Sequence, residues 1–128
     1  MNKLTIFIST PMRNKTEEEI ERRFEIITEL VFTFCKLVKP DFTRQDLEVI
    51  DNYHHEDLDA DAGRLMHLGR SIQQMQDADL VIFDANWAKE GKGCIVEKEV
   101  CDQYNIPIIC YSNNQYIWYD TIKEILSR

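Results

Sequence analysis

The stretch Gly91–Val100, GKGCIVEKEV, combines a glycine-containing turn with a carboxylate. Gly91 and Gly93 permit positive φ angles and would let a ligand lie against the amides of the turn and of a helix start. Glu97 falls in the first helical turn or just after it, where a helix N-terminus favours the ionised carboxylate by roughly 0.3–1 kcal/mol. We therefore predict an anionic Glu97 at neutral pH. Such a group can attack or stabilise a sugar carbon that becomes oxocarbenium-like as its leaving group departs.

The same residues also have a purely structural interpretation. A glutamate near a helix start complements the helix dipole in many helices, and glycine is a common turn residue. On spacing alone, the structural interpretation is the more common one. The chemical interpretation depends on which other side chains reach Glu97.

Four short apolar runs predict the strands of a parallel sheet. They lack the polar alternation of a sheet with one wet face, so both faces are expected to be buried. The predicted strands are Leu4–Ser9, Leu47–Asp51, Leu80–Asp84 and Ile106–Tyr111.

Helical patterns fill the gaps between these strands. In the first helix, apolar residues recur at intervals of three and four, and Thr16 with Glu19 forms a capping-box pattern at its start. The predicted helices are Glu17–Val38, Asp61–Gln76, Gly93–Tyr104 and Tyr119–Leu126. Alternating strands and helices imply right-handed parallel crossovers. We predict one α/β domain over residues 1–128: a three-layer, doubly wound, flavodoxin- or Rossmann-like fold whose four or five parallel strands include the order 2-1-3-4.

In such a sheet, ligands bind beyond the carboxyl ends of the strands where the strand order reverses. Here that place lies between the first and third strands. The first strand delivers Ser9, Thr10, Met12 and Arg13, the second delivers Asp51 to His55, and the third delivers Asp84, Asn86 and Trp87. Trp87 could stack on a base, and an ordinary half-buried aromatic is an equally good interpretation.

Composition and charge exclude several classes of partner. A formal charge of -8 in 128 residues opposes binding of a nucleic acid polymer, because that binding requires Lys and Arg to neutralise phosphates. The four cysteines form no CxxC pair and are expected to be reduced. The N-terminal apolar run is too short for a signal peptide or a membrane span. We expect a soluble cytoplasmic protein with no membrane partner.

The segment HHEDLDADAG, residues 54–63, invites a metal interpretation. Its aspartate spacing is similar to a calcium loop, but the glycine falls one place late and Leu68 occupies the position of the bidentate glutamate. A solvated lid or a helix N-cap region is the preferred interpretation. No metal site is predicted.

Three segments together resemble the nucleoside 2-deoxyribosyltransferase-like proteins, and most closely a small bacterial and phage branch of that superfamily whose function is unknown. They are IFISTPMRNK, LGRSIQQMQDADLVIFDANW and GKGCIVEKEVCDQYNIPII, and with the order of elements they span nearly the whole chain. In that superfamily a glutamate of a Gly-Thr-x-x-Glu-x-Gly motif is the nucleophile. The resemblance places Gly93 and Glu97 at the first glycine and the glutamate, with Cys94 replacing threonine and Glu99 replacing the last glycine.

The resemblance also implies roles for other residues. Ser71 stands where the transferases have a sugar-holding aspartate, so that role is missing here or passes to Asp84 or Asp51. Related 5'-monophosphate N-glycosidases hold a phosphate with the loop after the first strand, which here offers Ser9, Thr10 and Arg13. The resemblance further implies a homo-oligomer and no metal or organic cofactor.

Two functional hypotheses follow. The first is an enzyme acting on the N-glycosidic bond of deoxyribonucleosides or their 5'-monophosphates, by base exchange or hydrolysis. Its predicted catalytic residues are Glu97 and Asp84, and its predicted substrate-binding residues are Ser9, Thr10, Met12, Arg13, Ser71, Asn86, Trp87, Gly91 and Gly93. The second is a nucleotide-binding or sensing module of the same fold without turnover, which Ser71 and Glu99 motivate.

Overall fold

The computed structural model describes residues 3–52 and 60–128, with the side chains of 60–64 excepted. Strands and helices alternate along the chain. The strands are β1 (Leu4–Ser9), β2 (Leu47–Val49), β3 (Leu80–Phe83) and β4 (Ile108–Cys110). The helices are α1 (Glu17–Val38), α2 (Ala60–Met75), α3 (Trp87–Glu90), α4 (Lys92–Tyr104) and α5 (Gln115–Leu126), with a 3-10 helix at Arg44–Asp46.

The four strands form one parallel sheet in the order β2-β1-β3-β4. The predicted α/β class and strand order are confirmed. β1 is central: it pairs with β2 through Leu4–Ile6 and with β3 through Ile6–Ser9. Its carboxyl end therefore lies beside that of β3, at the place where the strand order reverses.

Each face of the sheet carries its own apolar layer. Ile6 and Ile8 face one buried cluster, which includes residues of α1 and α5. Phe7 and Phe83 face the other, which includes Met75 at the end of α2 and Cys94 of α4. Because side chains alternate along a strand, consecutive residues at the end of β1 are delivered to opposite faces.

The helix boundaries depart from the prediction mainly in the C-terminal part. α5 begins at Gln115, four residues before the predicted Tyr119, because the side chain of Asn114 accepts hydrogen bonds from the amides of Tyr116 and Ile117 and so caps the helix there. At α1, Thr16 is the N-cap, and its Oγ1 accepts a hydrogen bond of 3.1 Å from the amide of Glu19, which is one half of the predicted capping box. The short helix α3 and the 3-10 helix were not predicted, and the fourth strand is shorter than predicted.

In the described part of the chain, none of the helices has the length and apolarity needed to cross a membrane.

Candidate functional site

The carboxyl group of Glu97 lies against the end of β1. Oγ of Ser9, the last residue of β1, donates a hydrogen bond of 2.9 Å to Oε1 of Glu97. Both residues are buried, at 1% and 6% exposure. The fold thus brings together two predicted site residues that are separated by 88 positions in the chain.

Burial, and not the helix dipole, dominates the electrostatics of Glu97. Removal from water raises its pKa to about 7, and the hydrogen bond from Ser9 acts in the opposite direction. The expectation that the helix start keeps Glu97 anionic at neutral pH is therefore wrong. The helix begins at Lys92, which makes Glu97 its sixth residue, and the dipole effect fades beyond the first turn.

Glu97 has no cationic partner within the described residues. The ion pairs found in residues 3–52 and 60–128 do not include it. A buried carboxyl without a counter-charge is destabilising to the fold, and such groups with shifted pKa values concentrate at functional sites. At neutral pH, this carboxyl is present in both its protonated and its ionised form.

Cys94 lies one turn before Glu97 and is also buried. Burial raises the pKa of its thiol to about 12. The thiolate is the nucleophilic form of cysteine, so Cys94 is not a nucleophile at neutral pH. Glu97 is the better candidate of the two.

Gly91 is required by packing and not by a positive φ. The described glycines all have negative φ, which corrects the expectation from the sequence. A Cβ on Gly91 would lie 2.6 Å from Sγ of Cys94, whereas a Cβ on Gly93 would meet only Leu68 Cδ1, at 3.7 Å. Gly91 therefore permits the tight first turn of α4, and the role of either glycine in ligand binding stays a prediction.

Asp84 belongs to a second cluster, on the α1 face of the sheet. Arg23 of α1 binds it bidentately, with Nη2 to Oδ1 at 2.6 Å and Nε to Oδ2 at 3.0 Å. Thr10 Oγ1 donates to Oδ2 at 2.7 Å, and the amide of Ala85 donates to Oδ1 at 2.6 Å. Four protein donors therefore occupy the two oxygens of Asp84, which makes it an anchor for Thr10 and Arg23.

A cavity of about 310 Å³ opens beside this second cluster, where the strand order reverses. Its volume is at the lower end of the range for small-molecule sites. Glu97 is not among its lining residues. The cavity is lined by the β1 loop, the start of α1 and the segment after β3: Thr10, Pro11, Lys15, Glu19, Ile20, Arg22, Arg23, Asp84, Ala85, Asn86 and Glu90.

The remaining predicted residues are distributed around the same end of the sheet. Thr10 and Asn86 line the cavity, whereas Met12 and Arg13 do not. Trp87 packs against Phe83 with ring centroids 5.4 Å apart, so part of its ring belongs to the hydrophobic core. Ser71 is buried on α2.

The metal interpretation concerned residues 54–63. His54, His55, Asp57 and Asp59 lie outside the described residues, as does the side chain of Asp61. Elsewhere in the described chain, no group of three or more His, Cys, Asp or Glu could hold a metal ion.

Two residues of this region have no role in the prediction from sequence: Arg23, and Asn52 of the segment Asp51 to His55, which was expected at this end of the sheet. In the sequence, Arg23 is one more polar residue of α1. Its bond to Asp84 could not be expected, because it joins positions 61 apart. Asn52 is buried beside β1, where its Nδ2 donates to the carbonyl of Ile8 at 3.0 Å. An asparagine directly after a predicted strand was the signal available for it.

Comparisons with protein-family models, with curated proteins and with solved structures find no match to this chain.

Proposed function

We propose that this protein is an N-glycosidic bond enzyme of the nucleoside 2-deoxyribosyltransferase-like type, acting on deoxyribonucleosides or their 5'-monophosphates. The observation that carries the proposal is the buried carboxyl of Glu97, held by Ser9 at the carboxyl end of β1 with no cation beside it among the described residues. The three sequence segments described above point to the same chemistry.

In the proposed reaction, the ionised carboxylate of Glu97 forms a bond to C1' of the sugar. The C1'–N bond breaks, and the base leaves with the electron pair and takes up a proton. Water or a second base then attacks C1' and releases Glu97. With water, which gives up a proton, the product is deoxyribose or its 5-phosphate; with a second base it is a new nucleoside or its 5'-monophosphate. Because the carboxylate supplies the covalent step, the proposed reaction requires no metal or organic cofactor.

The low polarity around Glu97 suits this role. An anion that has lost most of its hydration gains more from a developing positive charge than an anion in water does. An oxocarbenium-like sugar carbon supplies that charge only as the bond to the base breaks. The carboxylate is thus stabilised most in the transition state, which is the condition for catalysis.

A second candidate is a nucleotide-binding module without turnover. It is favoured by the position of the cavity, whose lining includes Thr10 and Asn86 but not Glu97. A ligand there would meet Lys15, Arg22 and Arg23, with Asp84 already occupied by protein donors. In this case the ligand would stabilise the protein without losing its base.

The two candidates are separated by incubating the protein with each of the four common 2'-deoxynucleosides and their 5'-monophosphates, with and without a different free base. The enzyme proposal predicts release or exchange of the base by the wild type, and loss of both in Glu97→Gln. Glu99→Gln is a matched control, because Glu99 is an exposed glutamate of the same helix. Nucleotide-dependent thermal stabilisation without release of any base would support the binding module instead.

We further propose that the enzyme works as a homo-oligomer in the cytoplasm and takes no nucleic acid polymer. These proposals depend on the resemblance and on the charge of -8. Sedimentation of the purified protein tests the first of them.

A further inference from the structure

The side-chain amide of Asn52 takes the place of a backbone amide on the side of β1 that pairs with β2. Beyond the end of β2, the amide of Ile50 still donates to the carbonyl of Ile6 at 2.9 Å. The next carbonyl of β1 on this edge belongs to Ile8, and it accepts from the side chain of Asn52 at 3.0 Å. Asn52 is 5% exposed, so this amide is buried beside β1.

The bond to Ile8 also fixes the direction of the other half of the amide. A carbonyl oxygen only accepts hydrogen bonds, so Nδ2 must face Ile8 and Oδ1 must face away from it. Oδ1 is buried and has no hydrogen-bond partner among the described residues. A buried acceptor without a donor is costly, and native proteins contain few of them.

Gln74 of α2 repeats the arrangement beside it. Its Nε2 donates to the carbonyl of Asp51, the residue before Asn52, at 3.1 Å. Its Oε1 is likewise buried and without a partner in the described part of the chain. Asn52 and Gln74 thus each donate to a backbone carbonyl, and each has a buried acceptor without a partner among the described residues.

Asn52 and Glu97 lie at the same end of β1. Asn52 binds the carbonyl of Ile8, and Glu97 binds the side chain of the next residue, Ser9. Asn52 and Glu97 are thus joined to consecutive residues of β1. Asn52 offers a hydrogen-bond acceptor at this end of β1, and in the proposed function Glu97 reacts with a sugar.

We propose that Asn52 is a substrate-positioning residue whose Oδ1 accepts a hydrogen bond from a sugar hydroxyl of the nucleoside. The inference rests on the proposed function and deepens it, because it makes a hydroxyl donor part of what the site recognises. Gln74 supplies a second acceptor of the same kind. Sites built to bind a hydroxyl discriminate strongly against analogues that lack it, since the buried acceptor is then left unpaired.

Calorimetric binding to Glu97→Gln protein, which is expected to hold a nucleoside without cleaving it, provides the test. The ligands are the tightest-binding 2'-deoxynucleoside and its analogues lacking the 3'-hydroxyl or the 5'-hydroxyl. With Asn52 present, we expect removal of one of the two hydroxyls to weaken binding by about tenfold or more. In Asn52→Leu, the dissociation constant of that analogue divided by the dissociation constant of the parent nucleoside should fall to about one to two.

This ratio separates recognition of the hydroxyl from structural damage, since loss of the bond to Ile8 or partial unfolding affects the parent nucleoside and the analogue equally. Asn52→Asp keeps an acceptor and should keep discrimination between the ligands, even if it is less stable. An unchanged ratio in Asn52→Leu, or equal binding of all three ligands with Asn52 present, overturns the inference. In either outcome, base release by the wild type would still support the proposed function. Absence of binding by every nucleoside and 5'-monophosphate, together with absence of base release by the wild type, would overturn both.

Discussion

The hydroxyl of Ser9 donates to Oε1 of Glu97 across 2.9 Å, joining the last residue of β1 to the second turn of α4. This bond is the interaction that favours the ionised form of Glu97, against the larger effect of burial. The balance brings the pKa of Glu97 to about 7. A carboxyl that titrates there can be anionic in a fraction of molecules large enough to react.

Removal of the carboxylate should abolish turnover while the fold persists. We expect Glu97→Gln to lower kcat/KM for base release by about a thousandfold or more, because no covalent step remains. Glu99→Gln should retain activity within about threefold, since Glu99 is exposed. Chromatographic assay of free base measures both variants. Equal loss in both would point to helix α4 in general and not to Glu97.

Ser9→Ala should move the pH dependence of activity. The Ser9 hydroxyl lowers the pKa of Glu97, so its removal should raise that pKa above its present value of about 7. The acid limb of the kcat/KM profile should then shift to higher pH, whereas Ser9→Thr, which keeps a hydroxyl, should shift it less. An acid limb that stays in place in Ser9→Ala would show that the titrating group is not Glu97.

Stability should also depend on the protonation of Glu97. Its pKa is about 7 in the fold against 4.5 for the free group, so the folded state holds the proton more tightly. The contribution of the protonated carboxyl to the free energy of unfolding is fully present below pH 4.5 and is lost as the pH rises through 7. The loss amounts to up to about 3 kcal/mol. Urea titrations across this range should show wild type losing stability relative to Glu97→Gln, in which residue 97 does not titrate. A constant difference between the two proteins would contradict the raised pKa.

Breaking the Arg23–Asp84 pair should destabilise the fold strongly. The side chain of Asp84 is 3% exposed, so Arg23→Ala leaves a buried carboxylate without its counter-charge, at a cost of about 2 kcal/mol or more. Arg44→Ala is the matched control, because Arg44 also binds a carboxylate bidentately, but in an exposed pair with Glu29. Its effect should be much smaller. Equal midpoints for the two variants in urea unfolding would contradict the structural role assigned to Asp84.

The fold could be predicted because its signals are local. β1 and β3 are mainly apolar and buried on both faces, whereas the edge strand β2 exposes Glu48, against the expectation of two buried faces. The apolar stripe of α1 follows the helical period. Where boundaries failed, the cause is also local: Asn114 caps α5, so the helix begins four residues before its predicted start. The four-residue helix α3 is too short to show a period. The start of α5 is decided by the hydrogen bonds of one side chain.

The site could be predicted only in part. Chain topology brings Ser9 and Glu97 to one end of the sheet, so type and position were enough to select them. The pKa of Glu97 could not be predicted, because it depends on burial by residues distant in sequence. Arg23 and Asn52 look like ordinary polar residues until the fold places them against Asp84 and Ile8. Whether the predicted binding residues contact a ligand stays a prediction.

Mass spectrometry of acid-quenched wild-type protein during turnover of a 2'-deoxynucleoside tests the central claim most directly. We predict an adduct equal in mass to one deoxyribosyl group, located on the peptide that contains Glu97 and absent from Glu97→Gln. Base release that proceeds at the wild-type rate in Glu97→Gln, or a deoxyribosyl group carried by a different residue, would contradict the claim.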